Sequence, residues 1–312
     1  MNKELAPVIT DLENQINDIQ TDIAAIEHNT LLFEERNFDK RTDTLDFIDF
    51  HILDRIEGVL PQTDQQNLLL SLKNRAEQLR TKLEAVDAGL FQKIQDNIRS
   101  GAYTSESFKS MVREFVHFDS TNNEYQGEVG YDNLDVFLNG IFSFKNVPEQ
   151  TLQREPGMVF YQKTPARIIF EMLDKVDFTN EDVFFDLGSG LGFVIMLVNL
   201  LSGVKTIGVE FEPAFCNYAI NSIASLNLSN IKVINVDARE ADYSSGNIFF
   251  MYTPFDSHII HDVLDLLKKE ALSREIKIIT YGPCSINVAL QSWLKSTSPN
   301  ENINKLMIFN SL

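Results

Sequence analysis

The chain has 312 residues, 44% of them hydrophobic, which is enough for one large domain and a smaller one. Its formal charge of −18 and pI near 4.6 repel phosphate backbones and anionic bilayers, arguing against a broad nucleic-acid groove while tolerating basic partners. Two cysteines, Cys216 and Cys284, make neither a disulfide framework nor a zinc cluster, so both read as small apolar residues in a reducing compartment.

The opening MNKELAPVITDLENQ carries no apolar run of signal-peptide type. Within it Leu5, Ile9 and Leu12 begin a series continued by Ile16, Ile19, Ile23 and Ile26 at alternating spacings of four and three. That heptad seam predicts a long helix. Leu45, Ile48, Ile52 and Ile56 mark a shorter helix ending near Gly58 and Pro61. A second heptad run follows at Leu72, Ala76, Leu79, Leu83, Val86 and Leu90. The seam can join two chains as a homodimer or pack inside one chain as a bundle. A parallel dimer would set Asp22 and Glu27 beside their own copies, so the internal bundle is preferred. Residues 1–100 are therefore expected as an all-α domain that caps the active site, selects the acceptor or sets the oligomeric state.

Residues 101–163 read as a mixed connector and candidate lid. SESFKSMVREFVHF and YDNLDVFLNGIF suggest short helices, the first with a Ser-x-x-Ser/Glu start. NNEYQGEVGYDN is expected to be a loop. From residue 164 to 312, β-like and α-like segments alternate through DVFFDL, FVIMLVNLL, KTIGVE, IKVINV, NIFFMY and IKIITYG. Alternation with apolar strands predicts an α/β domain, a parallel sheet covered on both faces. The longest apolar stretch, residues 193–204, is too short to span a bilayer and contains Asn199. The expectation is a cytoplasmic protein without a membrane span.

After the buried strand VFFDL, Gly188, Gly190 and Gly192 fall within five positions, opening a helix. Such a turn lets a ligand approach the backbone without Cβ clashes. A dinucleotide fingerprint would need a third glycine where Phe193 stands, and a P-loop would need a following Gly-Lys-Ser/Thr. The pattern Asp-x-Gly-x-Gly-x-Gly, starting at Asp186, instead resembles motif I of the class I methyltransferases that use S-adenosylmethionine. Its company agrees. Glu210 ends the second strand, where a carboxylate can accept two bonds from ribose hydroxyls. Asp237 ends the third, where it can accept from an adenine amino group.

The resemblance covers about residues 160–312 and implies a Rossmann-like, seven-stranded sheet. KLMIFNSL would supply the antiparallel C-terminal strand, and a faint partner strand lies around Trp293. It further implies that Asp186 and the turn Gly188, Ser189, Gly190 and Gly192 hold the methionine end of the cofactor. Glu210 would hold the ribose, Asp237 and Ala238 the adenine, with Phe211 either on the adenine face or in the core. Tyr161 and Thr164 lie where the chain commonly meets the cofactor in this fold.

The acceptor is less legible. Methyl transfer needs alignment and dryness, and a general base only for some nucleophiles. The fourth strand reads Tyr252-Thr253-Pro254-Phe255, which resembles the Asn/Asp-Pro-Pro-Tyr/Phe motif of amino-group methyltransferases except at Tyr252. Tyr252 and Phe255 are candidates for positioning an acceptor. Glu128, Tyr131, Thr253, Pro254 and Tyr281 are candidates for its pocket. VFFDLGSGLG with GVE, and YQKTPARIIFEML, are similar to the cofactor segments of the disruptor-of-telomeric-silencing histone lysine methyltransferases. The acidic surface departs from what nucleosomal DNA requires, so the acceptor stays open between a small molecule and a protein, a basic one included. His258 and His261 lack a third ligand and no metal is expected. A silent cofactor-binding sensor or scaffold is the alternative to an enzyme.

Overall fold

The computed structural model describes residues 5–119, 130–144, 147–298 and 302–312. They form two compact units, Met1–Lys93 with Glu114–His117, and Ile94–Arg113 with Phe118–Leu312. Residues 101–163, set apart in the sequence as a connector, fall with the second unit except for Glu114–His117. Among the described residues no helix is long and apolar enough to cross a membrane.

The first unit is helical, with α1 (Leu5–His28), α2 (Phe38–Phe47), α3 (Asp54–Val59) and most of α4 (Gln66–Arg99). A π-helical stretch, Ile48–Leu53, joins α2 to α3, so the expected short helix is one longer helical run. Seam residues Ile16, Ile19, Ile23 and Ile26 share a core with Ile48, Ile52, Ile56, Leu72, Ala76 and Leu83. The heptad faces are thus covered within the unit. Asp22 pairs with Arg55, and Glu27 takes a two-pronged contact from Arg75 at 2.7 and 3.2 Å.

The second unit takes the end of α4, α5 (Ser105–Phe115) apart from Glu114 and Phe115, α6 (Asn133–Phe142) and α7 (Ala166–Lys175). Thr104 and Ser107 cap α5 reciprocally, one residue before the start suggested by the sequence. Asp132 caps α6 in a box with Asp135. The sheet then alternates with helices: β1 (Val183–Leu187), α8 (Phe193–Ser202), β2 (Lys205–Glu210), α9 (Pro213–Ser225) and β3 (Ile231–Asn235). It continues through β4 (Ile248–Tyr252), α10 (Ser257–Ala271), β5 (Lys277–Tyr281), α11 (Cys284–Ala289), β6 (Leu294–Ser296) and β7 (Met307–Ser311).

The seven strands run in the order β3-β2-β1-β4-β5-β7-β6. The first five are parallel, and β7 pairs antiparallel with both β5 and β6. Order reverses between β1 and β4, the switch point where open α/β sheets bind ligands beyond the strand ends. Both faces of β1 and β4 are buried, which is why their sequences are continuous apolar runs rather than alternations. On one face Phe185, Phe249, Met251 and Ile278 pack with Ile260, Val263 and Leu267 of α10. Within α8 only Asn199 and Leu200 at the C-terminal end before Ser202 escape full burial, so its apolar character serves the core.

Candidate functional site

The chain leaves β1 through the three glycines of the turn, whose φ angles are +78°, +51° and +81°. Their left-handed backbone is one reason for glycine; neighbours are the other. A Cβ on Gly188 would land on Pro254, and one on Gly190 would land on the Tyr161 ring. The turn is therefore packed beneath both the β4 loop and the strap of residues 147–162.

Asp186, 3% exposed, lies at the end of β1. Its carboxylate accepts no hydrogen bond from a described residue. Burial, reinforced by the nearby charge of Glu210, pushes its pKa up to about 8. Next to it Ser189 is buried, and its Oγ also has no partner among the described residues. Glu210 is treated differently. Its Oε2 accepts from the Gly190 N–H and its Oε1 from the Glu212 N–H, each at 2.8 Å. Burial raises its pKa while these backbone donors oppose the rise. Backbone contacts thus aim the carboxylate and leave its other lone pairs for a ligand.

Glu212, two residues on, was not singled out by the sequence, and it is the strap's anchor. Its carboxylate accepts from Thr151 N and Leu152 N at 2.9 Å, from Thr151 Oγ1 at 2.6 Å, and from Ala214 N at 3.0 Å. Burial alone would raise its pKa, but these four donors outweigh it and hold it down to about 2. A depressed carboxyl stabilises above its unfolded pKa, and that contribution disappears only as pH falls through about 2. Glu212→Ala should speed hydrogen exchange at Thr151 and Leu152 by about 10-fold or more, given charge-assisted bonds of about 1.5–3 kcal/mol. Unchanged exchange at both amides would show that the strap is held elsewhere.

Farther along the strap, Met158 bridges Phe255, and Val159 N donates to Pro254 O at 3.2 Å. Between these anchors Glu155 accepts from Arg239 at 2.6 and 3.2 Å, with His258 at 3.1 Å. Arg239 also donates to both oxygens of Asp237, at 2.7 and 3.0 Å. The side chain read from the sequence as an adenine acceptor is therefore also tied to its neighbour's guanidinium. That hydrogen bond is the main cause of the lowered Asp237 pKa. The Arg239 link between sheet and strap has no sequence signal, because Glu155 lies 84 positions away.

The anchored strap covers a cavity of about 380 Å³ at the carboxyl ends of β1 to β5. Glu210, Phe211, Asp237 and Ala238 line one part, Tyr161 and Gly188 another, and Tyr252, Thr253, Pro254, Phe255 and Tyr281 a third. The Tyr252 and Tyr281 ring centroids lie 5.2 Å apart. Thr253 has φ +40° and hydrogen-bonds with Tyr281 O and Cys284 N, fixing the loop. A second cavity, about 30 Å³, collects Asp186, Ser189, Thr164, Tyr161, Gly188 and Tyr252. Gly190 and Gly192 line neither cavity, since Gly190 supports Tyr161 and Gly192 caps α8. Tyr131 is exposed, outside both, and donates from its hydroxyl to Lys163 O at 2.6 Å. Glu128 lies outside the described residues. His261 is exposed on α10.

This strand order, its reversed last strand and a glycine turn facing the switch point agree with a family match. Residues 157–267 match the family model described as Histone methylation protein DOT1. The sheet unit has the fold of the class I methyltransferase domains. The chain is also similar to Ribosomal protein L11 methyltransferase of Clostridium perfringens (strain SM101 / Type A), 27% identical over 136 residues. That alignment takes in 43% of this chain and 42% of the relative. A tRNA (guanine-N(7)-)-methyltransferase of Staphylococcus haemolyticus is 26% identical over 115 residues, 36% of this chain and 52% of that one. The chain thus spans about half or less of the length of these curated relatives. Among solved structures, an RNA methyltransferase from Salinibacter ruber in complex with S-adenosyl-L-homocysteine is 18% identical. The comparison covers 48% of this chain and 92% of that one, with a TM-score of 0.39.

Proposed function

We propose that the chain is a cytoplasmic enzyme that transfers a methyl group from S-adenosylmethionine to a protein side chain or a small molecule. The observation that carries the reading is Asp186, a buried carboxylate with no donor among the described residues, beside the glycine turn at the switch point. Such a group is costly unless a ligand cation completes it. The donor set fits the whole cofactor: Asp186 for the methionine ammonium, Glu210 for the ribose hydroxyls, and Asp237 with Ala238 for the adenine edge. When bound, the cofactor supplies an electrophilic methyl carbon on a sulfonium.

This chain's residues align and dry that site. The Glu212-anchored strap excludes water, the backbone-held Glu210 fixes the sugar, and Tyr252, Phe255 and Tyr281 wall the acceptor side. No general base is assigned, since transfer depends first on alignment. The acceptor class follows from charge. At −18 the chain favours a basic acceptor over a nucleic-acid backbone. A protein acceptor also accords with two of the matches, named for histone methylation and for ribosomal protein L11.

Calorimetric titration with S-adenosylmethionine and S-adenosylhomocysteine tests the cofactor. Saturable binding is expected, weakened in Glu210→Ala by about 1–3 kcal/mol for lost charge-assisted bonds. Folded protein that binds neither compound would overturn the reading. Binding without methyl transfer to any protein, peptide or small molecule offered would favour a sensor.

A further inference from the structure

The helical unit carries an outward stripe that its own core does not use. From α2 through the π-helical stretch into α3, Ile48, Ile52, Leu53 and Ile56 are buried. The other side presents Asp43, Asp46, Phe47, Phe50, His51 and Asp54, all exposed. Positions 43, 47, 50 and 54 follow one another at spacings of three and four, which makes them neighbours on one face. Phe47 is 36% exposed, and its ring stacks on His51 with centroids 5.2 Å and planes 24° apart. Phe50, within the π-helical stretch, is 67% exposed. A ring left this far in water adds little to the core, so stability does not account for it. π-Helical backbone is itself rare and recurs at functional sites.

The acids around these rings are not all spent. Asp49 pairs with Arg80 at 3.0 Å and Glu57 with Lys73 at 2.9 Å, both across to α4. Asp46 and Asp54 form no ion pair among the described residues. Of the bases along this run, Arg55 is taken by Asp22, and Lys40 lies one turn before Asp43, at the edge of the stripe. Aromatic faces bordered by negative charge suit a guanidinium or ammonium, which stacks on a ring while a carboxylate answers its charge. We infer that this face docks a basic segment of a partner protein, whose arginines or lysines meet Asp46 and Asp54 while an apolar side chain packs on Phe50. A second copy of the chain is a poor occupant, since it would bring the same acids to the contact. Nucleic acid and anionic bilayers are repelled for the same reason. Docking here does not depend on the cofactor reading.

The probe is a fluorescent amphipathic peptide of about 15 residues made of arginine, leucine and alanine, long enough to form a helix. In anisotropy titrations it should bind the wild-type protein saturably, and a copy with glutamate in place of arginine should not. In hydrogen exchange the peptide should slow the amides of residues 43–57, whereas protection confined to any other segment overturns the inference. Phe50→Ser should weaken binding about 10-fold or more, as truncating a central anchor does. Asp46→Asn with Asp54→Asn should weaken it too. Asp262→Asn with Asp265→Asn, which removes two exposed acids of α10, should not. Equal weakening by the two pairs overturns the inference in favour of general charge attraction. Wild-type protein that leaves the peptide unbound, or binding that Phe50→Ser does not change, overturns it as well. A dimer in sedimentation equilibrium that Phe50→Ser abolishes would give the face to a second copy instead.

Discussion

Asp186→Asn should make the ligand-free protein more stable and the cofactor-bound protein harder to form. The native carboxyl titrates near 8 because burial disfavours its charge and Glu210 adds repulsion. An unfolded aspartate titrates near ~3.9. For a raised acid, stability is full below the unfolded value and is lost as pH climbs to the folded one, then levels off. The wild-type melting temperature should therefore fall between about pH 4 and pH 8 more steeply than that of the variant. At neutral pH the asparagine should gain on the order of 3 kcal/mol, or roughly 5–10 °C for a unit this size. Affinity for S-adenosylmethionine should drop about 10–100-fold, since a neutral amide replaces the counter-ion of a buried ammonium. A variant that melts no higher than the wild type and binds equally well would refute both halves. Opposed signs are the mark of a group retained for binding at the expense of the apo fold.

That opposition explains what could be read from the sequence. The sheet was legible because β1, β2, β4 and β5 are apolar on both faces and alternate with helices at βαβ spacing. Even the short β6 left a trace at Trp293. The candidate site was legible wherever a residue stands at a strand's carboxyl end, since topology alone delivers Asp186, Glu210 and Asp237 to the same end of the sheet. The strap was not. Glu212 gathers Thr151 and Leu152 from about 60 positions away, and Arg239 reaches Glu155 across 84. No local pattern encodes such pairs, and Glu155, Glu212 and Arg239 each read as an ordinary surface charge. The ion pair of Lys163 with Asp135 was hidden for another reason. A lysine in a loop is normally solvated, and only the fold of α6 brings the buried Asp135 beneath it. In the helical unit the heptads announced the helices but not their partner, because the same seam serves a dimer or a bundle.

The helical unit should depend most on Arg41, a residue with no heptad role. Its guanidinium is fully buried and donates to Asp87 at 2.7 Å, to Leu32 O at 3.0 Å and to Glu34 O at 2.9 Å. One side chain thus ties α4 to the turn after α1 and neutralises a buried acid. Arg41→Ala removes the cation and strands the Asp87 carboxylate, along with the carbonyls. Breaking one side of a buried pair costs about 3–5 kcal/mol, a large fraction of a domain's stability. Urea unfolding followed by circular dichroism should show that loss. The deficit should also depend on pH in a defined direction. Burial already raises the Asp87 pKa despite the opposing pull of Arg41. Without the guanidinium that pull is gone, so the folded form holds its proton to higher pH. Stability of the variant should then fall as pH rises, and acid should recover part of the loss. Arg41→Met with Asp87→Leu should lie closer to wild type than Arg41→Ala, because removing both charges leaves no bare carboxylate. A single variant within about 1 kcal/mol of wild type at every pH would show that water reaches the pair and solvates it.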